Sequence, residues 1–453
     1  MAACDGTTGS GPIAVSVIGS PSRLGATGDQ SSRLLTDALA QGLVRFDAAG
    51  QIEPGLAERW IVTDEGMSYI FRLRDARWSD GSEVTAAQVV DRLNRQVRSG
   101  ALKPFLTAID EIVVMTPQVI EVRLHRPRPD LLKLFAQPEL AIVRRVRPVG
   151  TGPMQLVGDA ATPLLRPLPD PDTPAGTRGE VRLTAEPASL AVARFVDDRA
   201  ALVTGGGFAD WPLVQAAGVP APAIRIDPAA GLFGLAIVRR DGFLADAANR
   251  AAVAQAIDAT AVIGAVAATW TPDDRLLPDR LDSAAPPQAP AWRALTMEQR
   301  LAASRASVVA YRQPVRLRIA LPQGPGATRL WGQVARALLL IGIVPDRVAA
   351  AAPADLRLVD AVAPYDSARW YLATACQPCG DEARAQLEAA REAPTLAERA
   401  QRIAAADAAL TADIAFIPLA RPWRWSLVSP RLRPWALNSR AWHPLNRLLA
   451  DPT

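Results

Sequence analysis

The stretch GLVRFDAAGQIEPGLAERWIVTDEGMSYIFRLRDARWSDGSEVTAAQVV, residues 42–90, decides how the chain is read. It opens on an apolar strand end and turns at Ala49 and Gly50. MSYIFRLR alternates, with Tyr69, Phe71 and Leu73 on one side, the pattern of a half-buried strand. Asp80 and Gly81 predict a tight turn, glycine supplying the positive φ that such turns need. Thr85 stands where a helix N-cap belongs, ahead of Val89, Val90 and Leu93 at helical spacing. Pro54, Trp60, Tyr69, Phe71, Trp78 and Gly81 thus describe turns and an apolar face, which make a scaffold rather than a site.

Working outward, residues 13–19 alternate as a first strand, ended by Gly19 and Pro21. Residues 31–43 predict a helix with Leu34, Leu35, Ala38 and Leu39 on one side. Residues 109–115 and 119–124 form a hairpin across Pro117, and the Gly/Pro-rich junction 148–158 leads into a strand. Residues 163–178 read as a proline-rich loop. In the second half, GLFGLAIVRR (231–240) is a buried-type strand and 246–266 a single helix. A proline-rich loop covers 272–290, a strand 315–322, and a helix 328–341 closed by Gly342. Another strand covers 355–363. Helices follow over 381–393 and 395–410, the second opened by Thr395 and Glu398 as a capping box. Residues 415–435 return as strand. Strands alternating with helices predict an α/β fold.

With 453 residues, the chain is too long for one small core and suits two or three lobes. Half of it is apolar and the formal charge is only +4. Lys103 and Lys133 are the only lysines, and the arginines are interleaved with acids, unlike a nucleic-acid footprint. No apolar run reaches the ~18 residues of a membrane span. His125 and His443 have no ligand-type neighbour at helical spacing, so no metal site is expected. The glycines at 205–207 lack the Lys-Ser/Thr of a phosphate loop, and no GxSxG elbow occurs. The acidic pairs Asp197-Asp198 and Asp273-Asp274 read as surface. The expectation is no catalytic residue and no cofactor.

Two cysteine contexts remain. Ala2, Ala3 and Cys4 look like the end of a bacterial lipoprotein signal, which makes Cys4 a lipidation candidate and residues 1–11 a flexible tether. A lipid-anchored protein of the cell envelope faces an oxidising compartment. That bears on Cys376 and Cys379 in RWYLATACQPCG, residues 369–380. The pair reads as a local disulfide or a reduced packed pair that stiffens a turn, with redox and metal roles as alternatives. Asp381 and Glu382 oppose a thiolate there, and no second CxxC or His pair completes a zinc set.

Four segments, in order, carry a resemblance: residues 42–90, VGTGP (149–153), NRAAVAQAIDATAVIGAV (249–266) and LLLIGI (338–343). They resemble the extracytoplasmic solute-binding proteins of ABC importers, oligopeptide/dipeptide/nickel class (bacterial solute-binding protein family 5). The resemblance implies a two-lobed α/β fold with mixed sheets joined by a hinge. Lobe I would span 12–230, with an inserted subdomain at about 45–155, lobe II 231–415, and a return to lobe I 416–453. It further implies a periplasmic monomer that captures a small-molecule or peptide ligand between the lobes and hands it to ABC permease subunits, without enzymatic activity.

Site residues follow by position in the family pattern. In lobe I they are Ser20 and Arg23 after the first strand, Gly206 and Trp211, and Trp423 and Trp425 on the return. In lobe II, APYDSARWYL (363–372) aligns with the family's A-D-Y-x-D-P-x-x-F-L and points to Tyr365, Asp366, Arg369, Trp370 and Tyr371. The family's first acid, which in peptide binders meets the ligand's ammonium, is Pro364 here, and the second is Ser367. Asp366 or Asp360 could substitute. A buried ammonium without a carboxylate is costly, so another small organic solute competes with a peptide. Alternative readings are a degenerate scaffold for protein interaction or sensing, and a redox or metal-handling protein that uses Cys376 and Cys379.

Overall fold

The computed structural model describes residues 11–20, 30–144, 149–157, 163–168, 179–279, 281–433 and 435–450. Cys4, Arg23 and nearly all of the expected tether lie outside these residues. The chain divides into two compact units. The first takes the described residues up to Gly206, then Leu213–Pro228, then those from Arg424 onward. The second takes Gly207–Pro212 and Ala229–Trp423.

The first unit is built on a seven-stranded mixed sheet. Its order is Met154–Val157, Leu164–Pro167, Val181–Glu186, Ile13–Ile18, Leu202–Gly207, Arg424–Val428 and Ile224–Asp227. Ile13–Ile18 runs parallel to both neighbours, while the outer pairs are antiparallel. Leu164–Pro167 falls where a proline-rich loop is expected. It pairs with Met154–Val157 and Val181–Glu186, which shows Pro167 tolerated at a strand end.

Residues 42–90 fold within this unit as their pattern requires. Val44–Phe46 pairs with Ile52–Pro54, and Ala57–Thr63 with Ser68–Leu73. The latter two join Val119–Leu124 and Ile109–Thr116 in an antiparallel four-stranded sheet. Thr85 caps the helix Ala86–Ser99 through a complete capping box with Gln88. Phe71 is fully buried edge-on to Phe135, and the Tyr69 hydroxyl donates to the Arg128 carbonyl. The glycines of VGTGP press on the C-terminal end of helix Gln30–Leu39. A Cβ on Gly150 would sit 1.8 Å from the Leu39 carbonyl oxygen, and one on Gly152 2.3 Å from the Leu39 carbonyl carbon. That helix ends at Leu39, short of the expected 43, because the chain must turn there to receive this junction.

The second unit carries a five-stranded sheet ordered Ile343–Ala349, Val315–Leu321, Leu356–Val362, Gly231–Ile237 and Phe416–Ala420. The first three strands run parallel and the last two antiparallel to their neighbours. Every residue of Gly231–Ile237 is buried, which explains its unbroken apolar run.

Three further features differ from expectation. The single helix at 246–266 is two, Ala247–Ala256 and Ala259–Gly264, since Asp258 caps the second by accepting from the Thr260 N–H. The return at 415–435 includes Phe416–Ala420 in one unit's sheet and Arg424–Val428 in the other's. Helix Met297–Ala310, not evident in the sequence, buries little beyond Ser304 and so lacks an apolar stripe.

Candidate ligand-binding site

In the second unit the segment 363–372 is anchored from below. Ser367 is fully buried and begins helix Ala368–Ala375. Its hydroxyl accepts from Arg399 Nη2 at 3.0 Å. Arg399 is also paired with Asp282, whose other oxygen accepts from the Ala368 N–H at 2.7 Å. The family's second acidic position has thus become a buried hydroxyl serving this anchor. Tyr365, Tyr371 and Leu372 are fully or almost fully buried, Trp370 is buried edge-on to Tyr371, Arg369 is half-buried and Asp366 is exposed.

Over Tyr371 lies the Arg421 guanidinium, 5.7 Å from the ring centre. Nothing in the sequence marks Arg421. Its Nε and Nη2 donate to Asp273, and Nη1 donates to the carbonyls of Gly231 and Leu276. Asp273 is therefore half-buried and structural, not the surface acid expected from its pairing with Asp274. Beside Arg421, Trp211, Trp423, Trp270, Phe233 and Phe208 form one aromatic cluster with ring centres 4.5 to 6.2 Å apart. The Trp270 indole N–H donates to the Arg421 carbonyl at 2.9 Å. Sequence reading named Trp211 and Trp423 but placed them in lobe I, whereas both fall in the second unit; it did not name Phe208, Phe233 or Trp270, whose apolar surroundings match any core.

The far end of helix Ala368–Ala375 runs into CQPC. Cys376 and Cys379 are joined, S–S 1.95 Å, and the Gln377-Pro378 bond is cis. The next residue, Gly380, donates its N–H to Asp413 at 2.8 Å. Asp413 also pairs with Arg240 and with the buried Arg250. Burial pushes the Asp413 carboxyl up, but Arg240, the Gly380 N–H and Arg250 outweigh it and hold the group below its ordinary value.

In the first unit, Gly206 lies inside strand Leu202–Gly207 rather than in a turn, and Trp425 covers it. A Cβ there would stand 2.2 Å from the indole ring, so only glycine lets the ring lie on this strand. Ser20 is exposed, and its carbonyl accepts from the Ser31 hydroxyl. His443 is buried against Asp227 at 3.0 Å with Trp435 stacked on it, a satisfied core histidine. His125 is exposed near Asp110. Among the described residues, no group of three or more His, Cys, Asp or Glu side chains could hold a metal ion, and no helix is long and apolar enough to cross a membrane.

The sequence matches the family described as bacterial extracellular solute-binding proteins, family 5 Middle, over residues 51–306, more than half of the chain. Over 68 residues it is 44% identical to the probable deoxycholate-binding periplasmic protein YgiS of Escherichia coli, which covers 15% of this chain and 13% of that protein. The aligned parts of such curated relatives span 13% to 28% of their length. The fold is similar along almost the whole chain to two solved structures. The murein tripeptide binding protein MppA of Escherichia coli gives a TM-score of 0.84 at 17% identity, covering 98% of this chain and 99% of that one. The oppA protein of Haemophilus influenzae, solved in complex with RPPGFSPFR, gives 0.82 at 16% identity, covering 97% and 99%. The architecture of mixed sheets, the ordered motifs and the family match agree: the chain belongs to the bacterial extracellular solute-binding proteins, family 5.

Proposed function

We propose that this chain is the solute-binding receptor of an ABC import system, capturing a small organic or peptide-like solute and delivering it to membrane permease subunits. The family match over residues 51–306 carries this reading. The ligand would be bound, not turned over. Its contacts would come from Tyr365, Asp366, Arg369, Trp370, Tyr371, Trp211 and Trp423 of the second unit, and from Ser20, Arg23, Gly206 and Trp425 of the first. The protein would work in the periplasm as a monomer, tethered by a lipid on Cys4.

The ligand class is set by what replaces the family's acid. Pro364 offers no charge, and Ser367 is committed to Arg399. Of the two acids that could substitute, Asp366 is exposed and Asp360 only half so, and a peptide ammonium would therefore fall to Asp366. The relatives' names range from deoxycholate to a murein tripeptide, so the scaffold serves ligands with and without an ammonium. The test is a thermal-shift screen of the purified chain against pools of peptides, bile acids and other organic anions, since a binder of the folded state raises its melting temperature by mass action. A stabilising compound whose effect disappears in Trp425→Ala and Asp366→Ala supports the reading. Loss in Trp425→Ala alone selects a non-peptide solute. Failure of every pool, with native mass spectrometry showing only the bare chain, refutes solute capture and favours the interaction scaffold.

A further inference from the structure

A cavity of about 260 Å³ lies wholly within the second unit and is lined by neither Tyr371 nor Arg421. That is slightly below the ~300–1,000 Å³ of sites for drug-sized ligands and suits one small molecule. Its apolar walls include Ile257, Leu276, Trp292, Ile414, Phe416 and Pro418. Two acids and two arginines also line it: Asp258, Asp274, Arg293 and Arg300. Asp274 and Arg293 form an ion pair at 3.4 Å.

Asp258 and Arg300 are not paired in this way. One Asp258 oxygen accepts from the Thr260 N–H at 3.0 Å. Arg300 donates from Nε to the Gln255 carbonyl at 2.7 Å and from Nη2 to the Ile257 carbonyl at 3.0 Å. These bonds fix the guanidinium in place but supply no counter-charge. Among the described residues, neither side chain is in an ion pair, and Arg300 Nη1 and the second Asp258 oxygen have no hydrogen-bond partner. Burial lowers the Arg300 pKa while Asp258 and Asp274 raise it, so the carboxylates act on the guanidinium through space without touching it.

Opposite charges held apart in one half-apolar cavity fit a ligand that carries both signs. We propose that this cavity is a second binding site that takes a single zwitterionic amino acid with an apolar side chain, its carboxylate on Arg300 and its ammonium on Asp258. The guanidinium offers the charge-assisted donor that a carboxylate takes best. The side chain would lie against Trp292, Ile414 and Phe416. The site is independent of the solute proposed above, because the two share no residue.

The test is calorimetric titration of the full chain with L-leucine and L-phenylalanine, alongside isocaproate and isoamylamine, which each lack one charge of leucine. Saturable binding of the amino acids, weakened about tenfold or more by Asp258→Asn and by Arg300→Gln, is the expected result. Asparagine keeps the oxygen that accepts from Thr260, so Asp258→Asn remains informative if Arg300→Gln fails to fold. Trp292→Ala, at a half-exposed wall, should weaken phenylalanine more than leucine. No saturable heat with either amino acid, unchanged binding in Asp258→Asn, or isocaproate binding as tightly as leucine would overturn the proposal.

Discussion

Residues 42–90 in the first unit and 363–380 in the second are each held by a different kind of bond. The first is stitched by shape. Gly55 has no room for a Cβ, which would stand 2.6 Å from the Gly42 carbonyl oxygen, and the rings of Phe71 and Trp78 are buried. The second is held by charge, and one helix, Leu396–Asp413, supplies a member of each ion pair. Arg399 at its start grips Ser367 and Asp282, and Asp413 at its end grips Gly380, Arg240 and Arg250. Packing by shape tolerates the loss of one polar bond but not one added methyl group. Packing by charge tolerates small changes of volume but not removal of one partner of a buried pair.

The largest effect should come from adding a methyl group where the first unit has no room. In Gly150→Ala the new Cβ would lie 1.8 Å from the Leu39 carbonyl oxygen, which is backbone and cannot rotate away. A loss of about 3 kcal/mol or more is expected, read as a shift of the urea midpoint. If Gly150→Ala unfolds like the wild type, shape does not govern this unit.

Next is the counterpart in the second unit. Arg399→Met preserves most of the volume but leaves Asp282 without its cation and Ser367 without its donor. The expected cost is about 2–3 kcal/mol, since Asp282 is partly solvated. Amide exchange should quicken along helix Ala368–Ala375 before it does so elsewhere. Asp282→Asn, which can still accept from the Ala368 N–H, should cost less. Equal losses in the two variants would contradict an anchor based on charge.

The same contrast explains what was legible in the sequence. Thr85 and Gly81 act on neighbours a few residues away, and strand alternation alone put Tyr69 and Phe71 on the buried face although their partners, Arg128 and Phe135, lie far along the chain. VGTGP was visible as a motif, but its reason, the end of a helix more than a hundred residues earlier, was not. In the candidate site the partners are likewise remote in sequence: Ser367 with Arg399, and farther still Arg421 with Asp273 and Trp270 with Trp423. Nothing in a lone Arg421 distinguishes a half-buried strut with every donor used from the other arginines, and Asp258 has the pattern of a helix-interior residue although it caps one. Trp211 and Trp423 were named by their position in the family pattern. Phe208 and Phe233 sat in ordinary apolar runs.

A third prediction sharpens the charge side of the comparison through pH. Asp407 lies on the same helix, fully buried, and accepts from the Gln288 backbone N–H at 2.8 Å. No cation is paired with it among the described residues. Burial lifts its carboxyl from 3.8 to about 6, with the Gln288 bond lowering it only in part. Between those values the folded state holds the proton more tightly than the unfolded chain. This group's contribution to stability is therefore present below 3.8, falls as pH rises through about 6, and stays lower above. Asp407→Asn keeps an oxygen for Gln288 and removes the charge. It should raise stability above pH 6 by up to about 3 kcal/mol and leave it unchanged in acid. Asp413 has the opposite sign: its depressed carboxyl supports the fold above the ordinary carboxylate range, and that support is lost on acidification. An Asp407→Asn gain that does not vary with pH would refute the assignment.

The smallest effect concerns the covalent link that ends the charged region. Cys376 and Cys379 are three residues apart, so a disulfide between them closes a very small loop and removes little freedom from the unfolded chain, about 2 kcal/mol by chain entropy. The loop is also held at Gly380 by Asp413, a contact that does not need the sulfurs. Replacing both cysteines by alanine should therefore cost about 2 kcal/mol or less and leave ligand-induced stabilisation intact. Alkylation of denatured, unreduced protein should label neither thiol. Two labelled thiols would mean that the Asp413 contact alone shapes this turn. A double variant that loses ligand stabilisation while remaining folded would instead place the link among the determinants of binding, because the helix it terminates carries Arg369, Trp370 and Tyr371.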